Sequence, residues 1–413
     1  MIKFYQLSFL LLVFLTACTS GAKRYNFPVD VNTSTKLIKT QEKKNYVFSA
    51  TGLTFDNLFA GARLNGVEKR EANVYEINIE AENEPINPSP WYAFRIRAER
   101  SQEVVLRMRY PENVRHRYFP KISQNRKQWM PLDSSVVLVH PDKTGADISL
   151  SMVAGTTLFL AGQEIINSDD VADWQKGMAF RHADVIHPFV AGKSKLGRDL
   201  PAFSIRNGPM DDRPTIVLLS RQHPPEVTGF LCLQAFLDGI LDHPQREAFL
   251  EKYQLLVYPL LNPDGVDMGH WRHGAGGIDG NRDWAKYRQP EAREVANSIV
   301  SLAKESGSRV VLGMDFHSTY RDVYYTHMDE VQPPTALPGF KDAWLQGIED
   351  GIGGDFVINE DPEMIGKPTT MSWFRTQFGA EGITYEIGDG TDRDFVRRKG
   401  LVSANALIEV LLK

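Results

Sequence analysis

The chain has 413 residues, 42% of them hydrophobic and 24% charged, the composition of an ordinary globular protein with room for two or three domains and a sizeable core. Its formal net charge of −5 gives no basic footprint that would release counterions from a phosphate backbone, so no nucleic-acid partner is expected.

The chain opens with Lys3 and an apolar run over residues 7–15. That run falls far short of the roughly 20 residues a spanning helix needs, and it reads as a secretory signal over residues 1–17. Leu15-Thr16-Ala17-Cys18 resembles the lipobox of bacterial lipoproteins. The resemblance implies cleavage before Cys18, lipidation of that cysteine, and a membrane gripped by acyl chains while the rest of the protein stays in water. Thr19 supplies no inner-membrane retention signal, so the expected place is the outer membrane, facing the periplasm of a bacterial cell envelope. An ordinary signal peptide with an incidental cysteine is the alternative. Residues 18–42 are polar and rich in Lys, Thr and Ser, which suits an extended tether.

Over residues 43–170 the apolar pattern has period two. Tyr92, Phe94, Ile96 and Ala98 alternate with Ala93, Arg95, Arg97 and Glu99; Val104, Leu106, Met108 and Tyr110 alternate with Val105, Arg107 and Arg109. With turn clusters such as Asn87-Pro88-Ser89-Pro90, this predicts an antiparallel β-sandwich. From 175 to 413 strands alternate with helices. Apolar runs at 215–219, 255–261, 310–316 and 383–387 predict buried strands, 229–241 a helix, and Phe395, Leu401, Leu407, Val410 and Leu411 the apolar side of a closing helix. The expected fold class is α/β, a mixed and mostly parallel twisted sheet flanked by helices. Cys232 reads as a buried structural thiol, and with Cys18 lipidated no intramolecular disulfide is possible.

Several runs end at residues able to bind a metal or move a proton, and open α/β sheets place ligands beyond the C-terminal ends of their strands. Ser220-Arg221-Gln222-His223-Pro224-Pro225-Glu226 sets an imidazole and a carboxylate three positions apart, on a turn stiffened by two prolines. His317 follows a separate strand in Met314-Asp315-Phe316-His317-Ser318. Two His and one Glu with an open fourth position form the donor set of a catalytic zinc site. Asn262-Pro263-Asp264-Gly265 follows another run, and Arg272, Asp279, Asn281 and Arg282 crowd around a Gly-rich loop at 274–280 that reads as too polar and flexible for core. Glu386 closes an apolar strand with a carboxylate, a costly placement unless that group is paired or works.

The order His223…Glu226, Asn262-Pro263-Asp264-Gly265, Arg272, Asn281-Arg282, His317-Ser318 and Glu386 resembles the zinc metallocarboxypeptidase (carboxypeptidase A-like) family over roughly residues 175–413. Gly192-Lys193-Ser194-Lys195-Leu196-Gly197-Arg198 is similar to the family's opening segment. Trp91-Tyr92-Ala93-Phe94-Arg95 is similar to the N-terminal domain of the cytosolic carboxypeptidase branch. The resemblance implies one Zn2+ per chain on His223, Glu226 and His317, with Glu386 as general base and Arg272 stabilising the oxyanion of the reaction. It implies Asn281 and Arg282 as the grip on a terminal carboxylate, Arg282 through its two-pronged guanidinium. One part of the family pattern is missing: no tyrosine lies between Tyr325 and Tyr385, where the mobile tyrosine is expected.

The expected activity is release of a C-terminal residue from a peptide. Murein peptides or another amide are alternative substrates, and a catalytically silent envelope binding protein is the alternative of a different class. Met371, Arg375 and Arg393 flank the approach to and exit from Glu386, and a basic pocket there would prefer an acidic terminal residue. Asp315 is expected to orient a metal-binding histidine. His270 and His273 beside Arg272 lack a matched carboxylate and are expected to hold no second metal. Tyr320 and Arg321 suit either the cleft or the sheet edge, and the sandwich could aid folding, rim the substrate or face a partner. Oligomeric state is open.

Overall fold

The computed structural model describes residues 21–329 and 332–413; the expected signal and lipobox-like segment with Cys18 lie outside the described residues. The larger unit is built on an eight-stranded sheet. Its strands run in the spatial order Ile186–Lys193, Asp199–Ile205, Gln254–Tyr258, Thr215–Ser220, Val310–Thr319, Glu381–Gly388, Val323–His327, Glu360–Glu363. The centre of the sheet is parallel, from Gln254–Tyr258 through Glu381–Gly388, and antiparallel pairs flank it, so the sheet is mixed. Thr215–Ser220 and Gln254–Tyr258 are buried at every position, because both faces of these central strands are covered and continuous apolar runs are what such strands require. One face carries the helices Val227–Leu241, Phe340–Ile352 and Arg393–Leu412 over a core that includes Phe236, Phe316, Trp344 and Tyr385. The other face carries Pro290–Ser306 and Thr370–Phe378, packed on Leu219, Leu256, Trp284 and Trp373.

The smaller unit is a sandwich of a six-stranded and a five-stranded sheet. The alternation read from the sequence is realised: Phe94, Ile96, Val104, Leu106 and Met108 are buried between the sheets. One pairing departs from the antiparallel expectation, since Val74–Asn78 and Gln102–Arg109 run parallel.

Residues 21–42 contain no helix or strand, yet they are no free tether. Tyr287 Oη donates to the Lys23 carbonyl (2.8 Å), Val29 N to Gly366 O (2.9 Å), Gln289 Nε2 to Thr33 O (2.7 Å) and Lys36 N to Gly276 O (2.8 Å). An extended segment must place its backbone polar groups somewhere, and here they find partners along the larger unit. The Gly-rich loop receives this strap and is largely buried, with Ala275 and Ile278 in the interior, contrary to its polar composition. Gly277 has φ +70°, and a Cβ there would sit 2.6 Å from the Lys36 carbonyl oxygen, so only glycine lets strap and loop approach.

Candidate active site

His223 follows the C-terminal end of Thr215–Ser220, and Glu226 stands at the first turn of Val227–Leu241. His317 lies on Val310–Thr319, and its parallel neighbour Glu381–Gly388 sets Glu386 directly opposite it in register. The four groups therefore meet at the C-terminal ends of three central strands. Helix and strand can come together because residue 229 is glycine: a Cβ there would meet the His317 carbonyl oxygen at 2.4 Å.

The candidate ligand atoms of His223, Glu226 and His317 all lie within 4.8 Å of one another. His223 Nδ1 is 2.8 Å from Glu226 Oε1 and His317 Nδ1 is 2.6 Å from Glu226 Oε2. The far nitrogen of each ring is held by a carboxylate: His223 Nε2 by Asp279 Oδ1 at 2.8 Å, His317 Nε2 by Asp315 Oδ2 at 2.7 Å. Such partners fix ring orientation and raise the basicity of the nitrogen turned to the centre, as at metal sites. Two imidazoles and a carboxylate, oriented from behind and buried, fit a zinc ion. Asp315 takes the orienting place expected of it; Asp279 plays the same part for His223, legible only as an acid two residues before Asn281.

The electrostatics follow from this crowding. Burial alone would raise the Glu226 carboxyl, but His223 and His317 against it hold it well below the usual carboxylate range. Burial opposes protonation of His317, and the Asp315 and Glu226 charges override it and raise the imidazole. Glu386 shifts the other way: burial, reinforced by the Glu226 charge, outweighs His317, His223 and Arg272 and pushes it up to about 7, and among the described residues its buried Oε2 accepts no hydrogen bond. A carboxyl near neutrality with a free oxygen is suited to receiving and returning a proton.

These groups line a cavity of about 300 Å³ together with Arg272, Asn281, Arg282 and Met371. Arg272 Nε donates to Asp279 Oδ2 (2.8 Å), and burial, which would lower its pKa, is outweighed by the carboxylates of Asp279 and Glu226. Asn281 Oδ1 accepts from Thr370 N (2.9 Å), and Arg282 Nη1 donates to the Asn281 carbonyl (2.7 Å). Tyr320 lines the cavity and Arg321 does not.

Two expected pocket residues lie elsewhere. Arg375 sits one turn beyond Met371 on Thr370–Phe378, and that rise of about 6 Å carries it past the cleft to donate to the Pro333 carbonyl. Arg393 is held outside by the sandwich, Nε to Glu164 Oε1 at 2.8 Å and Nη2 to Glu164 Oε2 at 2.9 Å. His270 and His273 turn from the triad, their Nδ1 atoms bonded to the His273 carbonyl and to Asn83 Oδ1.

The cavity also holds residues that sequence reasoning missed. Arg117 reaches in from the sandwich: Nε donates to Asp389 Oδ2 (2.7 Å), Nη1 to Ser89 Oγ (2.9 Å) and Nη2 to the Ser318 carbonyl (3.3 Å), and its guanidinium lies 4.7 Å from the centre of the Tyr320 ring. Burial pushes Asp389 up to about 6 despite Arg117 beside it. Lys367 and Thr369 line the cavity from the loop that the strap holds through Val29, and Tyr325 enters from Val323–His327, where it opposes Thr384. No sequence period or spacing marks these residues; each reaches the cavity through a contact distant in the chain.

Residues 171–342 match the family model for zinc carboxypeptidases. Among curated proteins, an uncharacterized protein of Zymomonas mobilis subsp. mobilis is 32% identical over 181 residues, 41% of this chain and 42% of that protein. Cytosolic carboxypeptidase 2 of Homo sapiens is 36% identical over 110 residues, 26% of this chain and 12% of that protein. The chain spans less than half the length of these curated relatives. Among solved structures, the metallo-carboxypeptidase from Burkholderia cenocepacia superposes with a TM-score of 0.72 at 16% identity, covering 87% of this chain and 98% of that one. A metallo-carboxypeptidase from Pseudomonas aeruginosa, in complex with (2-guanidinoethylmercapto)succinic acid, gives 0.69 at 17% identity over 87% and 100% of the two chains. The likeness is one of fold and spans both units.

Proposed function

From the zinc carboxypeptidase domain that this chain carries, we propose that it hydrolyses the C-terminal peptide bond of peptides with one zinc ion, in the bacterial cell envelope. The observation that carries the reading is the convergence of His223, Glu226 and His317 beside Glu386, in one cleft with Arg272. Zinc held by the three ligands supplies Lewis acidity and an activated water. Glu386 takes a proton and delivers it to the leaving amine. Arg272 donates N–H groups to the negative charge that develops on the scissile oxygen, an interaction made in the transition state and so expressed in rate. Asn281 and Arg282 bind the terminal carboxylate and thereby select a chain end.

Lys367 on the cleft wall favours an acidic terminal residue, a preference that rests on this side chain in place of Arg375. Attachment to the outer membrane through a lipidated Cys18, facing the periplasm, completes the proposal, supported by the lipobox-like Leu15-Thr16-Ala17-Cys18. Cys18→Ala should move the protein from the membrane to the soluble fraction; retention at the membrane would sink the anchor.

The activity is tested on the zinc-loaded chain beginning at residue 19, with a mixed peptide library and quantification of released amino acids. The unmutated chain should release single C-terminal residues, acidic ones fastest. Glu386→Gln should keep its zinc and lose about 10²–10⁴-fold in kcat. Undiminished release by that variant would remove Glu386 from its role as base.

A further inference from the structure

Arg272 belongs to the larger unit, yet the backbone that carries it is held by the sandwich. Glu82 is fully buried, and its carboxylate accepts three successive backbone N–H groups: Trp271 N on Oε2 at 2.8 Å, Arg272 N on Oε1 at 3.0 Å and His273 N on Oε1 at 2.7 Å. Residues 270–273 form neither helix nor strand, so these N–H groups have no partner from regular structure. The same stretch is anchored on both sides. Trp271, fully buried, donates its indole N–H to the Trp91 carbonyl (3.1 Å), and Gly61 N donates to the Asp267 carbonyl (2.8 Å). Arg63, also buried, donates Nε to the Glu80 carbonyl (2.8 Å) and supplies a positive charge near Glu82.

An ionised carboxylate inside a protein is costly unless its charge is answered, and three N–H groups with a neighbouring guanidinium answer it. Asp279 meanwhile holds the far end of the side chain at Nε. The arginine is thus fixed twice, by Glu82 through its main chain and by Asp279 through its guanidinium. We infer that Glu82 is a positioning residue for Arg272, so that the sandwich unit sets the geometry of the oxyanion site without touching the substrate there. The inference rests on the carboxypeptidase reading and gives the sandwich a role in that reaction. Displacing a catalytic group by about 1 Å can cost about 100-fold in rate.

Glu82→Gln preserves size but leaves a single acceptor oxygen, so an amide N–H₂ must face at least one of the three N–H groups. In the zinc-loaded chain, with a blocked tripeptide ending in the residue the library releases fastest, kcat should fall about 10- to 100-fold while KM stays within about twofold. Zinc content should not change. Affinity for the phosphonate analogue of that tripeptide, which mimics the charged tetrahedral state, should fall in parallel with kcat, while inhibition by the dipeptide product should not. In an Arg272→Ala background the Glu82→Gln change should cost nothing further, because the group it positions is gone. Trp271→Phe, which removes the bond to the Trp91 carbonyl together with the pyrrole half of the indole, should give a smaller loss of the same kind. Native kcat in both Glu82→Gln and Trp271→Phe overturns the inference. So does a double variant that loses the full product of both single effects, which would make Glu82 a matter of general stability. If the unmutated, zinc-loaded chain releases no amino acid, the carboxypeptidase reading fails and this inference with it.

Discussion

Gly229→Ala puts one methyl group where the helix start and the His317 strand are closest. The new Cβ would stand 2.4 Å from the His317 carbonyl oxygen, 2.7 Å from its carbonyl carbon and 2.9 Å from its nitrogen. Carbon and oxygen tolerate about 3.3 Å, so about 0.9 Å must be found between two backbone segments rather than in a side chain able to swing aside. Because Glu226 sits at the start of that helix and His317 is on the strand, the shift parts two of the three proposed ligands. The expected cost is about 1–3 kcal/mol of stability from overpacking and a zinc affinity lowered about 10- to 100-fold. Gly239→Ala is the control: on the same helix, its Cβ would stand 2.7 Å from the Ala404 Cβ, far from the site. It should lose stability and keep zinc affinity. Chelator competition reads the affinity and thermal unfolding the stability. Zinc bound as tightly by Gly229→Ala as by the unmutated chain would refute the idea that this close approach sets the ligand geometry.

The strap and the sandwich each allow a further test. Thr33 is buried and donates to Asp283, which also accepts from Gln289 N at 2.7 Å, so Thr33→Val should leave a buried carboxylate short of a donor and cost about 1–3 kcal/mol. An unchanged melting temperature would mean that the Thr33–Asp283 bond contributes nothing to the fold. His116 is stacked on Tyr92 and bonded to Tyr110 Oη at 2.9 Å, and burial, with His140 adding to it, pushes its imidazole down to about 4. Between that value and 6.5 the unfolded chain binds a proton that the folded chain refuses, so this contribution to stability is complete above about pH 6.5 and lost as pH falls towards 4. The loss amounts to about 3 kcal/mol. His116→Gln keeps an acceptor for Tyr110 and should flatten the stability curve across that window; parallel curves for the two proteins would exclude His116 as the cause.

The ligand set was legible because its signals are local. His223, Glu226 and His317 lie at or just beyond apolar runs, and strand ends are where an α/β sheet exposes working side chains. Glu386 was legible for a related reason, a carboxylate in an otherwise apolar strand. The Gly-rich loop misled because its glycines read as flexible and exposed, whereas the strap covers them and Ala275 and Ile278 turn inward. Arg375 misled because proximity in sequence to Met371 says nothing about which end of a helix meets a cavity.

Period and spacing in the sequence thus determined the α/β sheet, the alternating strands of the sandwich and the strand ends where His223, His317 and Glu386 stand, since each of these depends on neighbours within a few residues. Tertiary structure alone decided that the strap lies along the larger unit, that Asp279 stands behind His223, and that Arg117 and Glu82 reach across from the sandwich. Those contacts join residues from tens to hundreds of positions apart, and a buried charge or an unpaired N–H finds its partner by proximity in space, which no local pattern in the chain encodes.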